Sequence, residues 1–140
     1  MVPKVQVVAT TSDGTRAALL AAVPLARGLN ATLTIVVPCI VSCAAELAVP
    51  APATDLVAKR YQDFARGLGA EAGIDAFTSV GLDDLVAHVC AGTGPVVVGG
   101  PVGRWLTSPE ERFANRLARA GCHVVFVASG ANATQRRVAA

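Results

Sequence analysis

Val96-Val97-Val98-Gly99-Gly100-Pro101-Val102-Gly103 runs a β-branched segment straight into a glycine-rich turn, and its reading decides the fold. Branching at Cβ favours extended backbone, and a continuous apolar run reads as a buried strand. The glycines strip side chains from the strand's end, so another group can approach bare backbone there. α/β proteins often hold phosphates in such turns.

Working outward, Ser108-Pro109-Glu110-Glu111 reads as a helix start: N-cap, proline at the first position, acids in the first turn. Phe113 and Leu117 give that helix an inner face, Gly121 ends it, and His123 to Ala128 is a fifth strand. Residues 130–140 read as a polar, frayed tail on a domain spanning 1–129. Upstream, Lys4 to Thr10 is a first strand, broken by Thr11-Ser12-Asp13-Gly14-Thr15 before a helix from about Thr15 to Leu29. Pro24 is expected to kink that helix or cost it a bond, with Gly28-Leu29-Asn30 as its stop. Thr32 to Val37 is a second strand, closed by Pro38, and Cys39 to Ala53 reads as a loop. A helix from Thr54 has Val57, Tyr61, Phe64 and Leu68 at helical spacing, with Gly69 and Gly73 at its fraying end. Asp75 to Val80 is a third strand; Leu82, Leu85, Val86 and Val89 make the stripe of a third helix.

Five strands alternating with four helices predict an α/β, three-layer doubly wound sandwich with a five-stranded parallel sheet in the order 3-2-1-4-5. Its switch point lies between strands 1 and 4, so the ligand crevice would sit between residues 10–15 and 99–108.

Composition bounds the rest. The chain has 140 residues, 53% hydrophobic, 16% charged and only 4% aromatic, so one domain with an Ala/Val/Leu core is expected. A net charge of +2 does not suggest nucleic acid or an anionic membrane as partner. No apolar run is long enough to span a bilayer and no signal-peptide pattern opens the sequence, so a cytoplasmic protein is expected. Cys39, Cys43, Cys90 and Cys122 have neither a zinc nor a redox spacing. Buried or half-buried free thiols are the simpler reading, with a disulfide or a metal site as alternatives. No metal site is expected.

Familiar machinery is missing. There is no Gly-Lys-Ser/Thr phosphate loop, no Gly-x-Gly-x-x-Gly after the first strand and no Gly-x-Ser-x-Gly elbow. His88 and His123 read as surface or structural rather than catalytic, and no catalytic residue is assigned. An enzyme, such as a weak ATPase or nucleotidyl transferase, lacks any general base or metal cluster to support it.

VVATTSDGTRAALLAA, TLTIVV, VGLDDLVAHVCAGTGPVVVGGPVG and RFANRLARAGCHVVFVA, in that order, resemble the universal stress protein family over Lys4 to Ala128. The resemblance implies a regulatory binding protein and, in ATP-binding members, a G-x2-G-x9-G-S/T pattern after strand 4. Gly100 and Gly103 match its first half. Counting nine residues past Gly103 reaches Phe113-Ala114, and aligning the last helix instead places Glu110-Glu111 there. Thr10 stands where such members carry an Asp, and Gly94-Pro95 replace another common Asp before strand 4.

The cofactor-facing set implied by the resemblance is therefore Thr10, Thr11, Asp13, Val37, Gly100, Gly103 and Arg104, for ATP with Mg as its companion ion. Arg104 reads equally as a phosphate partner or a solvated loop residue. Trp105 could stack on a base, or pack on the sheet or on a partner subunit. The resemblance also implies a homodimer through the last strand, Val124, Val125, Phe126 and Val127, whose apolar edge would otherwise be open. A degenerate, surface-acting protein and an intact ATP binder remain the two competing readings.

Overall fold

The computed structural model of the chain describes residues 3–40, 51–92, 94–103, 105–129 and 135–138. Its elements are β1 (Lys4–Val8), α1 (Ser12–Leu29), β2 (Thr32–Ile40), α2 (Ala51–Gly67), β3 (Ala72–Ser79), α3 (Leu82–Cys90), β4 (Val96–Gly100), α4 (Pro109–Arg119), β5 (Val124–Ala128) and β6 (Gln135–Val138). They build one sheet in the order β3-β2-β1-β4-β5-β6. The first five strands are parallel in the expected 3-2-1-4-5 order, and β6 is antiparallel to β5.

Strand alternation divides the core. Val5, Val7, Ile35, Val97 and Val125 share one cluster with Ala18, Leu19 and Ala22 of α1 and Tyr61 and Ala65 of α2. Val8, Val36, Val98 and Phe126 share the other with Leu85 and Val89 of α3 and Phe113 and Leu117 of α4. Gln6 is the polar exception on the second face. It is 2% exposed, and its Nε2 donates to the Val89 carbonyl at 2.9 Å, tying β1 to the end of α3.

Several local expectations change. α1 begins earlier, at Ser12, because Thr11 is its N-cap and accepts from the Gly14 N–H. The helix runs through Pro24, whose side is exposed, and ends at Asn30 in the left-handed conformation. β2 continues past Pro38 because β1 pairs only as far as Val36, so the proline faces β3 alone and forfeits no bond to β1. Gly73 lies inside β3 rather than at the end of α2. The inner line of α2 is Ala58, Tyr61 and Ala65, while Val57 is 37% exposed.

Two corrections bear on function. The tail is not frayed over residues 135–138. They form β6, which pairs along Val124 to Val127. β5 is thus bonded on both sides, and the edge expected to mediate dimerisation is covered by the chain's own C-terminal segment. Cys90 and Cys122 are not free thiols. They form a disulfide with Cα atoms 5.6 Å apart. The topology explains the pairing: α3 ends just before β4 begins, α4 ends just before β5 begins, and β4 and β5 are neighbours. Cys39 is a half-buried free thiol, and Cys43 lies outside the described residues.

Candidate functional site at the switch point

Beyond the carboxyl ends of β1 and β2 lies a crevice of about 200 Å³, lined by Val8, Ala9, Thr10, Pro38, Leu82, Leu85, Pro109, Glu110 and Phe113. It stands where a doubly wound sheet is expected to bind its ligand. The turn from β1 into α1 is locked by threonines. Thr10 Oγ1 donates to the Gly99 carbonyl at 2.5 Å, Thr15 Oγ1 donates to the Thr11 carbonyl at 2.8 Å, and the Thr10 N–H donates to Thr15 Oγ1 at 2.9 Å.

Each glycine of the β4 turn has a packing reason to be glycine. A Cβ on Gly99 would overlap the Gly14 carbonyl oxygen where α1 lies against the sheet. One on Gly100 would stand 2.6 Å from Glu110 Cβ. One on Gly103 would overlap the Leu106 carbonyl oxygen, because the turn folds back on itself.

Two backbone donors of the turn are also in use. Glu111 Oε1 accepts the Gly103 N–H at 2.7 Å and the Ser108 N–H at 2.9 Å. The second bond completes a capping box, since Ser108 Oγ accepts the Glu111 N–H at 3.1 Å. A carboxylate of the chain therefore occupies the Gly103 backbone donor. Glu110 adds to the effect. Its carboxylate borders the crevice and Oε2 is buried without a hydrogen-bond partner.

The expected site residues separate on this frame. Thr10 lines the crevice, but no described residue of 99–108 does; Gly100 and Gly103 lie instead against Glu110 and Glu111. Thr11 and Asp13 are exposed at the start of α1, with Thr11 spent on capping. Val37 is 6% exposed inside the core rather than on the crevice wall. Arg104 lies outside the described residues. At about 200 Å³ the crevice is smaller than the roughly 300 Å³ at which ligand pockets usually begin, and Glu110 stands on its lining.

Trp105 and Leu106 are 94% and 81% exposed, so Trp105 does not pack on the sheet. His88 is held structurally. Its Nε2 shares a 2.6 Å hydrogen bond with Asp75 Oδ2, and its ring stacks on Phe77 with centroids 3.9 Å apart. Among the described residues no group of three His, Cys, Asp or Glu side chains could hold a metal, and no helix is long and apolar enough to cross a membrane.

No protein-family model and no curated protein matches the chain. Solved structures do. A universal stress protein in complex with cAMP shares 24% identity, covers 92% of this chain and 98% of its own, and superposes with a TM-score of 0.65. The Archaeoglobus fulgidus universal stress protein in complex with dAMP shares 16% identity over 93% of this chain and 98% of its own, with a TM-score of 0.64. Universal stress protein UspA from Lactobacillus plantarum shares 19% identity over 89% and 96%, with a TM-score of 0.63. Five parallel strands in this order, helices on both faces and near end-to-end superposition give the chain the universal stress protein fold.

Proposed function

We propose that the chain is a universal stress protein-like regulatory module whose adenine-nucleotide binding is weakened from within. The carrying observation is the Gly103 N–H bound to Glu111 at 2.7 Å. The similar structures that hold cAMP and dAMP make a nucleotide the natural ligand to test. Here the chain's own carboxylate competes for the turn, and Glu110 fills space beside Gly100. Action then lies at the surface rather than in catalysis.

A cytoplasmic homodimer is part of the reading. With β5 covered, the contact moves to the exposed apolar residues Val102, Trp105 and Leu106 of the turn after β4, which a second copy would bury. Trp105→Ser is expected to shift the protein to monomer in sedimentation velocity. A dimer that survives the change removes the turn from the interface.

The nucleotide test is calorimetric. Titration with ATP and magnesium is expected to give weak or no heat for the wild type. Glu111→Ala frees the Gly103 N–H and removes one charge, so it is expected to tighten binding by about tenfold, as loss of one opposed charge-assisted bond implies. Glu111→Gln keeps the capping box and is expected to fall between the two. Micromolar wild-type binding unchanged by Glu111→Ala would sink the proposal in favour of an intact ATP site at Gly100 and Gly103.

A further inference from the structure

A larger cavity, of about 730 Å³, opens at the opposite end of the sheet, where β4 and β5 begin. Leu25 and Leu29 of α1 and Val125 of β5 give it apolar walls, and Cys90 and Cys122 are among its other lining residues. Both cysteines are half-buried, and their disulfide borders this space. The volume falls within the range of small-molecule sites, roughly 300–1,000 Å³. Gly121, on the same lining, has no atom of the described residues within 4 Å of where a Cβ would be.

Access governs whether a disulfide exchanges. One sealed in a core opens only when the protein unfolds, whereas one facing a cavity can meet a thiolate in the native state. From the cavity and the bond on its wall, we propose that this is a thiol–disulfide exchange site, which admits a small thiol to the Cys90–Cys122 bond. The incoming thiolate attacks one cysteine sulfur. A new S–S bond forms to it as the Cys90–Cys122 bond breaks. The electron pair of the broken bond stays on the other cysteine, which takes a proton from solvent. The protein then carries the small molecule as a mixed disulfide, with no net oxidation. A second thiol can attack the small molecule's sulfur, releasing the small-molecule disulfide. The protein pair is then reduced as two thiols are oxidised. Leu25, Leu29 and Val125 would pack the carbon skeleton of the incoming molecule, whose class is a low-molecular-weight thiol. Opening frees the end of α3 from the start of β5, across a 32-residue separation that contains β4, its turn and α4.

The test uses the oxidised full-length protein and reduced glutathione as probe. Samples are quenched with acid, alkylated and read by intact and peptide mass. Native opening is expected through an adduct on Cys90 or Cys122, at least about tenfold faster than global unfolding under the same conditions. Leu29→Trp, at the exposed end of α1, and Leu25→Phe, within its last turns, each narrow the cavity. Both are expected to slow opening several-fold while leaving the unfolding rate unchanged. Cys90→Ser/Cys122→Ser is expected to give no adduct at either position, because the bond that a reduced thiol would attack is gone. Opening that tracks the unfolding rate, opening indifferent to both filled variants, or Cys90 and Cys122 found as thiols in protein purified without reductant would each overturn the site.

Discussion

Reducing the Cys90–Cys122 bond is expected to lower the unfolding free energy by about 3.7 kcal/mol. The loop it closes has a separation of 32 residues, between the 15- and 100-residue cases for which loop-closure entropy is worth roughly 3 and 4.7 kcal/mol. For a chain of 140 residues, that corresponds to a fall in Tm of roughly 10 °C. The effect acts mainly on the unfolded state, which loses a cross-link and expands, so the denaturant m-value is expected to rise on reduction. Calorimetry with and without a phosphine reductant, beside Cys90→Ser/Cys122→Ser, checks both claims. The double variant is expected to match the reduced wild type and to ignore reductant. An unchanged Tm in protein shown by mass to be reduced would mean that the bond staples ends already held by packing. α3 and α4 do share one buried cluster, with Leu85, Val89 and Leu117 fully or nearly fully buried.

The sheet order was legible because hydrophobic period and turn chemistry agreed along most of the chain. Val96 to Val98 could only be a buried strand, and Ser108-Pro109-Glu110-Glu111 carried a complete helix start. The misses are tertiary. Pro38 looks like a strand terminator until β1 is seen to stop alongside Val36. Cys90 and Cys122 have no telling spacing because their meeting depends on β4 and β5 being neighbours. β6 has the composition Gln-Arg-Arg-Val, which carries no strand signal and is the charged kind that blunts a sheet edge. At the crevice, the sequence showed that Glu110 and Glu111 bring charge. It could not show that Glu111 reaches back to the Gly103 N–H, since that bond depends on the fold of the turn between them.

Gly99→Ala is expected to cost about 3 kcal/mol, at the upper end for overpacking, because the obstruction is backbone and not a side chain that can turn aside. Its Cβ would overlap the Gly14 carbonyl oxygen, stand 2.9 Å from the Gly14 carbonyl carbon and 3.2 Å from Ala18 Cβ. Relief requires α1 to lift from β4, and Ala18, Leu19 and Ala22 of that helix are all fully buried. Gly14→Ala meets the same obstacle from the other side, 2.7 Å from Thr10 Oγ1 and 2.8 Å from the Gly99 carbonyl carbon, and should cost a similar amount. One outward shift of α1 accommodates both changes, so the double variant should lose clearly less than the sum of the singles. Gly28→Ala is the control. That glycine also lies in α1, nothing stands within 4 Å of its Cβ position, and the substitution should stabilise by roughly 0.5–1 kcal/mol through helix propensity. Urea midpoints of the four variants decide between two reasons for the glycine-rich turn. A large, sub-additive loss assigns Gly99 to the seating of α1 on the sheet. A loss under about 0.5 kcal/mol, the ordinary range for surface changes, would show that the close approach is not needed for packing and return Gly99 to the service of a ligand.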